Sequence, residues 1–260
     1  MITLKSTREL DRIRTACRIV AEARDLVRSL AGPGVATGYL DKQVEKLIIE
    51  KGARPAFKGH GAAGRRPPFP ASICASINHE VVHGIPGPRE LCPGDLLSVD
   101  VGVECEGYYG DAALTVPIGE VCEPARRLMD TCREALRRAI AAIGPGKRLS
   151  AIARAVQGHV EENGFSVVRD LVGHGIGAQL WEEPQVPNYY SPGFADVSLR
   201  PGMVIAIEPM INEGDWRVKT LPNRWTVVTR DGSLSAHFEH TVAITREGVE
   251  VLTAEPSQEE

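Results

Sequence analysis

The sequence predicts an α/β or α+β protein, with α+β preferred, of two similar halves packed about a pseudo-twofold around a curved, mostly antiparallel sheet. Three observations carry this reading. Helix-period and strand-period segments alternate along the chain. A set of landmarks recurs in the same order: Gly32-Pro33-Gly34 returns as Gly144-Pro145-Gly146 at an offset of 112, and each is followed by a helical pattern closing on a glycine, Gly52 and Gly164. Each half then carries a His-Gly-Ile, at His83 and His174, and a Pro-Gly step feeding a short apolar strand that ends on an acid, Asp100 and Glu208, at an offset of 108. Repeats this long are too large for solenoid units and imply duplicated lobes whose polar landmarks meet. At 260 residues and 43% hydrophobic, the chain is expected to form a single domain over 1–260, with halves of about 1–120 and 121–260.

Punctuation sets each element in order. Residues 6 to about 31 read as an amphipathic helix, with Leu10, Ile13, Cys17 and Val20 on one face and arginines on the other, stopped by the first Gly-Pro-Gly. A second helix covers about 37 to 51, with Thr37 as its N-cap, and a Gly/Pro/Arg-rich loop spans 54 to 70. Strands are expected near 71 to 77, 95 to 103 and 111 to 117, then helices at about 123 to 142 and 149 to 163. The last strands fall near 167 to 172, 203 to 209, 225 to 230 and 236 to 245, the final two joined as a hairpin through Arg230-Asp231-Gly232.

Charge narrows the partners. The net charge is −4, and no stripe of lysine and arginine with interleaved aromatics appears, so nucleic acid is not the expected ligand, although Lys147-Arg148 or the Arg65-Arg66 turn could touch phosphates weakly. The early charges Lys5, Arg8, Glu9 and Asp11 rule out a signal-peptide core, and no run of 18 apolar residues occurs, so a soluble, cytoplasmic, monomeric protein without membrane contact is expected. The six cysteines form no Cys-x-x-Cys pair and read as reduced thiols packed as small apolar groups.

The acids carry the chemistry. Asp100 and Glu208 end strands that read as buried, and Asp111 and Glu239 lie within strand signals of their own. Four carboxylates crowded together raise one another's pKa unless cations compensate them. With His174, flanked by Gly173 and Gly175, they make a donor set of oxygens and one imidazole that favours two divalent ions, Mn, Fe, Co or Zn, over a thiolate site. A competing motif, His79-Glu80-Val81-Val82-His83, fits the His-Glu-x-x-His pattern, but that pattern needs a helix to place both histidines on one face. Two β-branched valines followed by Gly84 and Pro86 make this segment a poor helix.

The strings Asp100-Val101, Gly110-Asp111, Gly173-His174-Gly175-Ile176-Gly177, Glu182-Glu183-Pro184, Ile207-Glu208-Pro209-Met210 and Glu239-His240-Thr241 resemble the type I methionine aminopeptidases, short bacterial form, of the creatinase-like or pita-bread fold. The resemblance spans nearly the whole chain. It implies removal of the initiator methionine from peptides and nascent chains, with the ribosome as a candidate contact. By it, Asp111 and Glu239 would bridge two metals, Asp100 would complete one and His174 with Glu208 the other. Glu208 would shuttle the proton and His83 would hydrogen-bond substrate near the scissile amide. Phe69, Cys74 and Trp225 match the family's apolar pocket for the methionine side chain.

Two departures stand out. Where the family carries a second substrate-contacting histidine before Glu-Glu-Pro, this chain has Trp181, whose indole donates a hydrogen bond but cannot accept a proton. If that imidazole steadied an oxyanion, its loss would cost about 3 kcal/mol. The Gly61 to Pro68 loop is longer and richer in glycine, arginine and proline than the family's glycine-tyrosine segment. Three functions therefore stay open: a methionine aminopeptidase weakened by Trp181, a related exopeptidase with another N-terminal preference such as cleavage before proline, or a catalytically silent peptide- or ribosome-binding homologue.

Overall fold

Helices come first because the sequence caps and patterns them well. In the computed structural model, which describes residues 2–61, 67–194 and 196–254, α1 spans Thr7–Leu30 and α2 Thr37–Glu50. Ser6 caps α1 by a capping box: its Oγ accepts from the Glu9 amide at 3.4 Å, and Glu9 Oε2 accepts from the Ser6 amide at 2.8 Å. The expected N-cap of α2 moves one residue. Ala36 holds the cap position without a side-chain bond, while Thr37 Oγ1 accepts from the Gly87 amide at 3.0 Å and so ties the helix to a distant loop instead.

Strands β1 (Arg54–Pro55), β2 (Ile73–Ile77), β3 (Glu80–Val82), β4 (Leu96–Cys105) and β5 (Tyr108–Pro117) follow. Then come α3 (Glu123–Ala141), α4 (Ser150–Glu162), β6 (Ser166–Val167), β7 (Gly173–Gly175), β8 (Glu182–Val186), β9 (Val204–Ile207) and β10 (Met210–Asn212). The chain finishes through β11 (Val218–Thr220), β12 (Val227–Thr229), β13 (Ser235–His237), β14 (His240–Ile244) and β15 (Val249–Val251). Each strand pairing is antiparallel. The ladders form four small sheets: β4 paired with β1, β2 and β5; β13-β10-β6; β11-β12-β3; and β15-β14-β9-β7-β8. One main core of buried residues runs from Ala16 to Ile244, so the first 120 residues and the rest share their apolar interior.

Two expectations fail for stated reasons. The Arg230-Asp231-Gly232 turn does not make a hairpin, because β12 pairs with β11 and β3 while β13 pairs with β10. The continuous strand expected over 236 to 245 breaks at Phe238-Glu239, where the Glu239 amide leaves its own ladder and donates to the Ala113 carbonyl at 3.0 Å. The strand expected over 167 to 172 shortens to Ser166–Val167, and β7, β8, β11 and β15 are too short to show a period in the sequence. Of the Gly61 to Pro68 loop, Arg65 and Arg66 lie outside the described residues.

The β4–β5 hairpin positions the chemistry. Its two turn residues, Glu106 and Gly107, both have positive φ (51° and 81°), the conformation whose twist matches two antiparallel strands. That turn fixes a ten-residue register in which Asp111 opposes Gly102 and Asp100 opposes Ala113. Opposed residues share a face, and so do residues two apart, so both aspartates project to the same side. Helix α1 lies hard against the other side. A Cβ on Gly110 would stand 2.8 Å from the Cys17 amide nitrogen, so glycine is required there.

A buried acid cluster and an apolar chamber

Five strands deliver the predicted ligands to one place. Asp100 and Asp111 come from β4 and β5, Glu208 directly follows β9, and Glu239 precedes β14. His174 sits in β7 opposite Ala206, two residues before Glu208, so the imidazole and that carboxylate share a face. The glycines beside His174 are dictated by packing. A Cβ at Gly173 would lie 2.4 Å from the Ala206 carbonyl oxygen, and one at Gly175 2.3 Å from that of Glu183. A paired seam holds Glu239 beside Asp111: Thr241 Oγ1 donates to the Asp111 carbonyl at 2.7 Å and accepts from the Asp111 amide at 3.2 Å.

The acids are crowded and dry. Burial, the foremost cause, drives Asp111, Glu208 and Glu239 well above the usual carboxylate range, and neighbouring carboxylates add to it. Burial raises Asp100 to about 7, partly offset by a hydrogen bond shared with Asp111. Asp100 Oδ1, Asp111 Oδ1 and Glu239 Oε1 are buried with no hydrogen-bond partner among the described residues. His174 Nδ1 lies 2.9 Å from the Gly175 carbonyl, which can only accept, so Nδ1 carries the proton and Nε2 presents its lone pair. That Nε2 is 3.8 Å from Asp111 Oδ2 and 3.6 Å from Glu208 Oε1, too far for hydrogen bonds. Burial holds the ring neutral by lowering its pKa to about 4. Ligand atoms of Asp111, His174 and Glu239 all lie within 4.8 Å of one another. Orphaned carboxylate oxygens around a neutral imidazole with its lone pair turned inward fit a divalent cation.

These side chains line one wall of a small chamber of about 50 Å³, whose other lining includes Phe57, His60, Phe69, Cys74, Trp181 and Trp225. Trp225 is fixed there by donating Nε1–H to the Pro67 carbonyl at 2.9 Å and by edge-to-face contact with Phe69 at 5.2 Å. His83, Trp181, His174 and Glu208 also line a larger outer groove of about 780 Å³ and therefore stand where the two spaces meet. His83 directly follows β3 with φ of 58°, and the backbone of Gly84 packs so closely that a Cβ would lie 2.2 Å from the Ala75 carbonyl oxygen. The His79–His83 segment is thus a turn and a strand, which removes the helical His-Glu-x-x-His reading. Glu80 serves structure there, accepting from the Ile77 amide at 2.8 Å and pairing with Arg89 at 3.0 Å.

Two residues at this site were missed in the sequence. His237 is buried with Nε2 3.8 Å from Glu208 Oε2, and burial, with the nearby His83, lowers its pKa to about 3. It stands on a three-residue strand that the break at Phe238-Glu239 separates from Glu239, too short to show a period. His60 gave no signal at all, since it lies in a glycine-flanked loop whose path no local pattern predicts.

Comparison with known proteins agrees with this geometry. The model of metallopeptidase family M24 matches residues 11–246. The chain is 47% identical over 253 residues to methionine aminopeptidase 1 of Bacillus subtilis, covering 97% of this chain and 99% of that one. It superposes on the crystal structure of methionine aminopeptidase from Thermotoga maritima with a TM-score of 0.93 at 44% identity, covering 98% of this chain and 100% of the other. The prolidase of Pyrococcus furiosus matches at a TM-score of 0.75 and 25% identity, but only 65% of that longer chain is covered. The fold is therefore the pita-bread α+β fold. The chain belongs to metallopeptidase family M24, in its methionine aminopeptidase branch, a family that works with divalent metal ions.

Proposed function

We propose that the chain removes methionine from the N-terminus of peptides and of nascent chains leaving the ribosome, in the cytoplasm, acting as a monomer with two divalent ions (Mn, Fe, Co or Zn). The observation that carries this reading is a group of four crowded acids, three of them with a buried oxygen that has no hydrogen-bond partner among the described residues, and a neutral imidazole, all facing a small chamber whose far wall is apolar. Asp100, Asp111, His174, Glu208 and Glu239 would hold the ions. Such ions lower the pKa of a water and polarise the carbonyl that it attacks.

The chain's own residues would do the rest. Phe69, Cys74 and Trp225 would take the methionine side chain, for which a soft apolar lining suits a thioether. The amino terminus would face the carboxylate wall, and the remaining peptide would run out along the outer groove past His83, whose imidazole would hydrogen-bond near the scissile amide. Glu208, whose pKa is raised by burial, is suited to take a proton from the nucleophile and pass it to the leaving amine. Neutral His237, 3.8 Å from Glu208 and beyond hydrogen-bond reach, would limit the movement of that carboxylate by packing beside it. Trp181 would touch substrate as a donor only, so turnover is expected below that of an enzyme with an imidazole there.

The test is the chelator-stripped chain reloaded with Mn(II), Co(II), Fe(II) or Zn(II) and offered Met-Ala-Ser and Xaa-Pro peptides. Release of methionine that tracks cation loading, and a gain in kcat in Trp181→His of about tenfold or more, are expected. Cleavage only before proline, or none with any cation, would overturn the reading.

A further inference from the structure

We infer that a groove behind the acid wall binds a small anion built of linked phosphate groups, such as pyrophosphate or the phosphate chain of a nucleotide. The groove measures about 920 Å³, the size of a small-molecule site, and among the described residues it shares no lining residue with the inner chamber or the outer groove. It is lined by α1, α3 and β5. The two helices carry the same five-residue string. Arg24-Asp25-Leu26-Val27-Arg28 on α1 returns as Arg133-Glu134-Ala135-Leu136-Arg137 on α3, at an offset of 109 beside the 108 and 112 of the other landmarks. All four arginines line the groove, two from each helix.

Within each string the acid pairs with the second arginine: Asp25 accepts from Arg28 Nη1 at 3.0 Å, and Glu134 accepts twice from Arg137, at 2.6 and 2.8 Å. Arg133 lies 3.5 Å from Asp130 one turn back. The side chains of Arg28, Arg133 and Arg137 are 45%, 57% and 70% exposed, so these same-helix pairs contribute little and yield to a stronger acceptor. Glu250 also lines the groove, but Arg14 holds it at 2.7 Å. Arg24 differs from the other three. It is buried, with Nη1 donating to the Thr253 carbonyl at 3.2 Å, and so sets a fixed positive charge at the groove. Guanidiniums four residues apart lie about 6 Å from one another along a helix. A lone carboxylate meets one such fork, whereas linked phosphates offer acceptor oxygens in a row and bind several forks bidentately. Leu136 and Ile140 add apolar lining, and the Arg133 guanidinium lies 5.3 Å from the centre of the Phe238 ring, a surface that suits a flat base. Ala113, whose carbonyl anchors the Glu239 amide, lines the groove too, so an anion held by both helices would tie α1 to α3 behind that anchor.

The test is calorimetric titration of the full chain with pyrophosphate, ADP and adenosine, after chelation so that no cation recruits phosphate to the acid wall. Pyrophosphate should bind, and at about a hundredfold above its Kd it should raise Tm by about 5 °C or more. Arg28→Gln and Arg137→Gln, one on each helix, should each weaken binding about tenfold, the loss of one charge-assisted contact. Arg126→Gln removes the same charge from α3 outside the groove and should change the Kd by less than about twofold. ADP binding more tightly than pyrophosphate would identify a nucleotide as the source of the phosphates and equal binding a free oligophosphate, and both results support the site. Failure of pyrophosphate and ADP to bind would overturn it, as would adenosine binding as tightly as ADP, or Arg126→Gln weakening binding as much as the groove variants. Binding that appears only after removal of residues 255–260, with Glu255, Glu259 and Glu260, would also overturn it by giving the groove to the chain's own acidic segment. These readouts need no release of methionine, so their failure and that of the proposed function are distinguishable.

Discussion

The inner chamber has two walls built by opposite means. The acidic wall stands on paired strands: Asp100 and Asp111 are set by a ten-residue ladder, and Glu239 is clipped to that ladder through Ala113 and Thr241. The apolar wall stands mostly on loops, at Phe57 to Gly61, Phe69, Trp181 and Trp225, with Cys74 on β2, and its loops are tied by single hydrogen bonds and ring contacts. Sheet registry holds groups that must keep their spacing while repelling one another, and loops hold groups whose shape decides what is admitted. The difference fits the proposed division of labour, with cations held on the first wall and substrate chosen at the second.

The largest expected effect breaks the acidic wall. Asp111→Asn keeps the shape but removes one of the charges that a cation would balance, so kcat should fall about a thousandfold, with loss of bound metal by elemental analysis. Equal activity with full metal content would erase the contrast between the walls.

Next is pH, read on the chelated protein. Asp100 titrates near 7 in the fold against an ordinary 3.8, and Asp111, Glu208 and Glu239 shift the same way. A raised carboxylate pKa adds stability at low pH that is lost as pH rises through the folded value. The buried histidines oppose this below their ordinary 6.5, because His174 and His237, lowered to about 4 and about 3, must stay neutral in the fold. Above that value only the carboxylates contribute slope, so Tm should fall between pH of about 6.5 and about 8, and saturating Mn(II) should reverse the fall. A flat profile would mean that the acids are not coupled in one dry cluster.

His237→Ala sharpens the comparison by testing support behind the acidic wall. Loss of a group that steadies a ligand typically costs 10- to 100-fold, so kcat should drop by about that much with the Met-to-Leu ratio unchanged. A shifted ratio would place His237 with the selective wall. The smallest effect concerns the seam alone. Thr241→Val leaves the Asp111 amide and carbonyl without their partner, at about 1–3 kcal/mol, and should lower Tm by roughly 2–4 °C for each kcal/mol lost. Retained selectivity in that variant would show that the walls are mechanically separate.

The four acids and the imidazole were legible because each sits on a local pattern: an apolar strand ended by a carboxylate, an acid within a strand signal, or a histidine between glycines. The four long helices were legible by their 3.6-residue period and their stops. The hairpin drawn through Asp231 was wrong because turn chemistry does not say which strand the next one pairs with. His60 and His237 were illegible for a related reason. One lies on a loop and the other on a three-residue strand, and neither carries a periodic signal.

By itself, then, the sequence determined the helices, the duplicated order of landmarks and the identity of the charged donors, because these rest on residue type and short-range spacing. Only the tertiary structure decided that Glu239 leaves its strand to join Asp111, that Lys5 pins the segment bearing Trp181, and that this indole meets His60. Those contacts join residues more than a hundred positions apart. Hydrogen-bond partners and ring neighbours at that separation are chosen by how sheets and loops pack, which local spacing does not encode.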